Sequence, residues 1–254
     1  MKPLNNYINE ALIKKNTKIQ QYKYYPKNFD ELRSLLEKLL KERSENANLN
    51  DIDTSKITDM VALFKDLDPH NIDISEWDVS NVENMNSMFF GCENLTCDIS
   101  KWNVSNVKIM ANMFCRCSNF DSDLTDWDVR NVENMFHMFF KCEKLTCDIS
   151  KWNVSHVKDM HGMFFDCEKF NSDLSKWDVS NVEDMDSMFG GCTNFNSDLS
   201  KWDVSKVKDM EYMFVACEKF DSDLSKWNVS KVKYMEKIFS NCTSLKNKPA
   251  WYKE

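Results

Sequence analysis

The chain has 254 residues, a net charge of −8 and 42% apolar residues. That composition suits a core-forming globular chain, and its acidic balance argues against nucleic acid as a main partner. Only four glycines occur (Gly91, Gly162, Gly190 and Gly191), so no glycine-rich phosphate loop can be written.

The N-terminus reads MKPLNNYINEALIKKN, with no continuous apolar stretch and no early cysteine. It therefore lacks the pattern of a secretory signal or lipid anchor, and the expectation as written is a cytoplasmic protein. A cell-surface or secreted location is the alternative if a leader has been removed. No run of about 18 apolar residues occurs, so membrane insertion is not expected.

Residues 1–51 read as an N-terminal helical cap. Leu4, Tyr7, Ile8, Ala11 and Leu12 make a weak helical stripe, and KIQQYKYYP suggests a short strand ended by Pro26. Asn28 followed by Glu31 predicts a helix start, and Leu32, Leu35, Leu36, Leu39 and Leu40 carry one stripe up to Arg43. Such a helix would cover the open apolar end of a repeat array that starts at Ile52.

From residue 52 to 251 the chain repeats. Trp77, Trp102, Trp127, Trp152, Trp177, Trp202 and Trp227 stand 25 residues apart, and Trp251 comes 24 later. Met60 to Met235 and Met88 to Met213 form two Met columns, Phe64 to Phe239 a Phe column, and Cys92 to Cys242 a Cys column. A fixed period of this size means a solenoid, propeller or array. Eight coils are expected, the first with Ile52 in the Trp place and the last cut short by Pro249.

The Trp177 repeat shows the expected chemistry of a coil. Ser180 and Glu183 read as a capping box. Val182, Met185, Met188, Phe189 and Cys192 come next at spacings of three and four, one face of a short helix. Leu199, Trp202 and Val204 are spaced for a short extended segment. The expected class is an α/β repeat solenoid, leucine-rich-repeat-like, with one short helix and one short strand per coil. An all-β solenoid is the alternative. Eight coils at about 4.8 Å would span roughly 40 Å.

The repeated WDVSNVxxMxxMFxxCxxFNxDLSKW, with the lead-in NLNDIDTSKITDMVALF (Asn48–Phe64), resembles the BspA-like leucine-rich-repeat surface proteins. It looks like their 25-residue repeat of unknown function, also noted in mycoplasma lipoproteins. The resemblance implies microbial surface proteins that bind host or matrix proteins, adhesin-like.

Candidate chemistry is weighed column by column. The Cys column reads as buried small hydrophobes, with Cys97, Cys115 and Cys147 off it. The Met, Phe and Trp columns read as core, although a Trp column is also a platform for sugars. Seven stacked aspartates, Asp73 to Asp223, need compensation. They either accept backbone N–H bonds in turns or hold cations between coils. His137 and His161 fall at neighbouring places of successive coils, where a metal with Asp159 or Cys142 is conceivable, but surface histidines are the ordinary reading.

Partners are expected where the coils vary. Counting the Trp as place one, place eight carries Asn84 to Tyr234, place ten Asn86 to Glu236 and place eleven Ser87 to Lys237. Phe136, His137, His161, Tyr212 and Tyr234 are the candidate contacts on this face. The sequence thus predicts a monomeric, non-enzymatic scaffold that binds a protein partner, without catalytic residues, metal or cofactor. A cation- or carbohydrate-binding repeat module is the alternative.

Overall fold

The computed structural model describes residues 22–43 and 46–253. The stripe from Leu4 to Leu12 lies outside the described residues.

Helix α1 (Phe29–Arg43) starts where the sequence places it. Asn28 Oδ1 accepts the Glu31 amide at 3.0 Å, and the Glu31 carboxylate reaches back to the Lys27 amide at 2.9 Å. One of the amides that a helix start leaves without partners is thereby satisfied, and the residue before the cap is tied to the first turn. Leu32, Leu36 and Leu39 are buried in the main core. Arg33 clips the helix down by donating from Nη1 to the carbonyls of Ala62, Leu63 and Lys65. Arg33→Ala should cost about 1.5–3 kcal/mol, since charge-assisted bonds to partly buried carbonyls are lost; urea unfolding measures it.

Beyond α1 the described residues are turns and isolated parallel bridges. The bridges join residues 25 apart: Asp59 to Asn84, then Ile109, Asn134, Asp159, Asp184, Asp209 and Tyr234. Each 25-residue unit therefore stacks on the next in register. Pairing starts upstream of Ile52, because Asn48 bridges Asp73 and Tyr24 bridges Ile52.

Val182–Cys192, where the spacing predicts a helix, runs as consecutive turns. Alternate amides leave the unit: Met185, Ser187, Phe189 and Gly191 donate to Asp209, Glu211, Met213 and Val215 of the next one. The amides between them stay local: Met188 donates to Met185, Gly190 to Ser187 and Cys192 to Phe189. Two left-handed residues per unit, such as Ser187 and Gly191, break any helical run. The spacing of three and four survives because each turn also returns its fourth residue to the same side. Met185, Met188, Phe189 and Cys192 are all fully buried. Nor does the capping box form: the Ser180 amide donates to the Asp178 carboxylate, and the Glu183 side chain pairs with Lys208 of the next unit.

The core consists of the repeated columns. Every Trp donates its Nε1–H to a carbonyl of the preceding layer, as Trp152 does to Leu124 at 2.9 Å and Trp177 to Ile149 at 3.1 Å. Phe rings stack along the axis, for instance Phe139 on Phe164 with centroids 5.8 Å apart. The Cys column adds sulfur donors, with Cys142 Sγ 3.0 Å from the Phe114 carbonyl. The Trp rings are thus committed to the interior rather than offered to solvent.

Candidate functional site

The face that carries the bridges is the one the sequence singles out as variable. Apart from the buried Ala111, places eight and ten are half-buried or exposed, and the Met between them is buried from Met60 to Met210. Place eight has a structural duty that variability alone hides. Its Asn or Asp accepts the amide two residues on: Asn84 from Asn86, Asn134 from Phe136, Asp159 from His161, Asp184 from Asp186 and Asp209 from Glu211, all at 2.9–3.1 Å. Ile109 and Tyr234 break this rule. They forgo the turn bond and stand 37% and 56% exposed. Ile109 escaped the sequence reading because one aliphatic in a polar column looks like drift.

Phe136, His137 and His161 come together. The Phe136 ring stacks on His137 with centroids 4.0 Å apart and lies 5.1 Å from His161, and the two imidazoles are 4.9 Å apart. Phe140 extends the cluster from His137 at 4.6 Å and stacks on Phe165 at 5.0 Å. Tyr212 and Tyr234 lie farther along the stack, Tyr212 with the Lys237 ammonium 5.7 Å from its ring centre. Phe140 and Phe165 were missed because they neighbour the core Phe column and read as part of it.

Glycines make room for this cluster. Gly162 has φ +54°, and a Cβ there would sit 2.3 Å from His137 Cδ2. Gly162→Ala should therefore destabilise by about 1–3 kcal/mol, the cost of overpacking. The share due to the clash should vanish in a His137→Ala background, leaving the roughly 1 kcal/mol that alanine costs at this left-handed φ, as a double-mutant cycle would show.

Burial, helped by the neighbouring His161, pushes the His137 imidazole down to about 4. The unfolded chain, with an ordinary His near 6.5, then binds more protons between those values. His137 accordingly favours the fold above about pH 6.5, and its contribution erodes as pH falls towards 4. His137→Gln should flatten this part of the melting profile. His161 Nδ1 lies 3.5 Å from Asp186 and 3.8 Å from Asp184, so the two imidazoles have opposite surroundings.

Farther along the stack, carboxylates crowd. Asp186, Asp209 and Glu211 each place an oxygen within 4.8 Å of the others. His137, His161, Asp159 and Cys142 do not form such a group among the described residues. The Asp73–Asp223 column is engaged in turns: Asp148 accepts from Ser150 at 2.9 Å and Asp198 from Ser200 at 3.0 Å. These bonds hold both carboxyls below the usual carboxylate range. From Cys92 to Cys217 the column cysteines are buried, which disfavours the reactive thiolate, pushing Cys92 up to about 12 and Cys142 well above its ordinary value.

The family model described as "Mycoplasma protein of unknown function, DUF285" matches twice, over residues 33–150 and 136–251. The chain belongs to this family. The two matches take in α1 from Arg33 onward and every stacked unit, so the DUF285 signature is the repeat itself. No curated protein matches the chain, and no solved structure does. No helix among the described residues is long and apolar enough to cross a membrane.

Proposed function

We propose that this DUF285 chain is a non-enzymatic docking scaffold: a leucine-rich-repeat-like solenoid over residues 52–251, capped by residues 1–51, which presents its bridged face to a protein partner. Ile109 and Tyr234 carry the reading, because each gives up the turn acceptor that its column otherwise keeps and exposes an apolar side chain instead. A neutral turn bond is worth about 1 kcal/mol, which the fold forgoes at both places. The groups with the greatest chemical potential, the thiols and the aspartate column, are engaged in the scaffold. What is left to vary is a rigid outward surface with aromatic anchors, the form in which repeat proteins bind.

The resemblance to BspA-like proteins adds a host or matrix protein as the kind of partner, at a cell surface. The thiol-rich interior suits a reducing compartment instead. Cell fractionation separates the two.

Photo-cross-linking tests the docking reading. A benzophenone side chain at place 136, 212 or 234 should capture a partner whose binding weakens about tenfold or more in Phe136→Ala or Tyr212→Ala, with little change in melting. Adducts formed only from the column of Glu93, Glu143, Glu168 and Glu218 would refute it.

A further inference from the structure

The docking reading leaves the chemistry of the partner open, and the charges of the bridged face supply it. In place seven, Glu and Lys alternate from Glu83 to Lys208, with a further Lys233 in the next unit, and neutralise one another across the stack. Glu83 pairs with Lys108 and Glu133 with Lys158, both at 2.7 Å, and Glu183 pairs with Lys208. One column over, this compensation stops. Between Asp159 and Glu236, places eight and ten hold Asp159, Asp184, Asp186, Asp209, Glu211 and Glu236, with no Lys or Arg in either column. His161 is the only basic side chain in that stretch of the two columns. Burial, reinforced by neighbouring carboxylates, holds the Asp184 and Glu211 carboxyls above their usual range. The strip adjoins the Phe136–His161 rings at one end and Tyr212 and Tyr234 towards the other.

We propose that the bridged face docks an extended, lysine- or arginine-rich segment of a protein partner. The cations lie along the strip from Asp159 to Glu236, and an apolar side chain rests on the Phe136–His161 rings. The proposal rests on the docking reading above. Phosphate-bearing partners are repelled by the same carboxylates. Four units at about 4.8 Å set the strip near 14 Å, enough for two to three same-side residues of a strand at about 6.8 Å per pair. A cation placed among these carboxylates neutralises repulsion the fold leaves uncompensated, and its aliphatic stem covers the neighbouring rings.

The probe is a fluorescein-labelled peptide, KTKTKTF, titrated into the full chain with anisotropy as the readout. Asp184→Asn/Asp186→Asn/Asp209→Asn/Glu211→Gln should weaken binding about tenfold or more. Asn keeps the turn acceptor at places 184 and 209, as Asn84 and Asn134 show, so the fold is retained. Glu93→Gln/Glu143→Gln/Glu168→Gln/Glu218→Gln removes equal charge elsewhere and should change binding less than about twofold. Phe136→Ala should weaken KTKTKTF but not KTKTKTT. Equal weakening by both quadruple variants would reduce the effect to net charge and overturn the proposal. So would saturable Ca²⁺ binding in calorimetry, lost in the first variant, with no peptide binding. If the peptide fails while cross-linking from places 136, 212 and 234 still captures a partner, the docking reading stands and the cationic chemistry falls. If neither occurs, both fall.

Discussion

Trp152→Ala should destabilise the chain by about 3–5 kcal/mol in urea unfolding, the cost of emptying a large buried site. Trp152 is 4% exposed, flanked by the Trp127 ring at 6.5 Å and the Phe139 ring at 6.3 Å. Its Nε1–H also ties its unit to the preceding layer through the Leu124 carbonyl. Trp152→Phe keeps an aromatic ring but loses that donor and some volume, so about 1–2 kcal/mol is expected. A Trp column serving as an open ligand platform would behave differently, with both substitutions costing under about 1 kcal/mol. That outcome would place the Trp column outside the core.

Excision of residues 152–176 should leave a folded protein, whereas excision of 152–163 should abolish cooperative folding. Removing a whole unit keeps the 25-residue register that the bridges define, so Trp177 can donate to Leu124 as Trp152 does now. Removing 12 residues would set outward places against core columns, and buried amides would lose their acceptors. The whole-unit deletion should still melt at a lower temperature, because one unit's stacking energy is gone. It also brings Glu133 beside Glu183 in the column where Glu and Lys alternate. Circular dichroism and thermal melts of the two deletions read this directly. A 12-residue deletion that melts as sharply as the parent would contradict the register.

What was legible in the sequence is what periodicity controls. The Trp, Met, Phe and Cys columns are core because a residue recurring at every unit stacks on its own copies. α1 was legible because Asn28, Glu31 and the Leu stripe are local signals. The turn-built segment was not. Val182, Met185, Met188, Phe189 and Cys192 satisfy the spacing of a helix, and hydrophobic spacing does not reveal whether an amide bonds within its own unit or to the next. Only Gly91, Gly162 and Gly191 mark the left-handed places with glycine; most carry residues such as His137, Tyr212 and Lys141, so no consistent composition signal marks them. Place eight read as free variation because Asn and Asp differ in charge, while the turn uses only the oxygen they share. The acidic strip became visible only once places eight and ten of successive units were seen to share one outward surface.

Amide hydrogen exchange by NMR tests the stacked architecture on which the docking face depends. Met160, Gly162, Phe164 and Asp166 donate to Asp184, Asp186, Met188 and Gly190 of the next unit. These four amides should exchange slowly, with protection approaching that of global unfolding. The exposed Asn153 and His156 amides, which have no hydrogen-bond acceptor among the described residues, should exchange far faster. Alternating protection of this kind, repeated every 25 residues, is the predicted result. Uniform protection with a helical i to i−4 pattern through Met160–Cys167, or none at all, would contradict it.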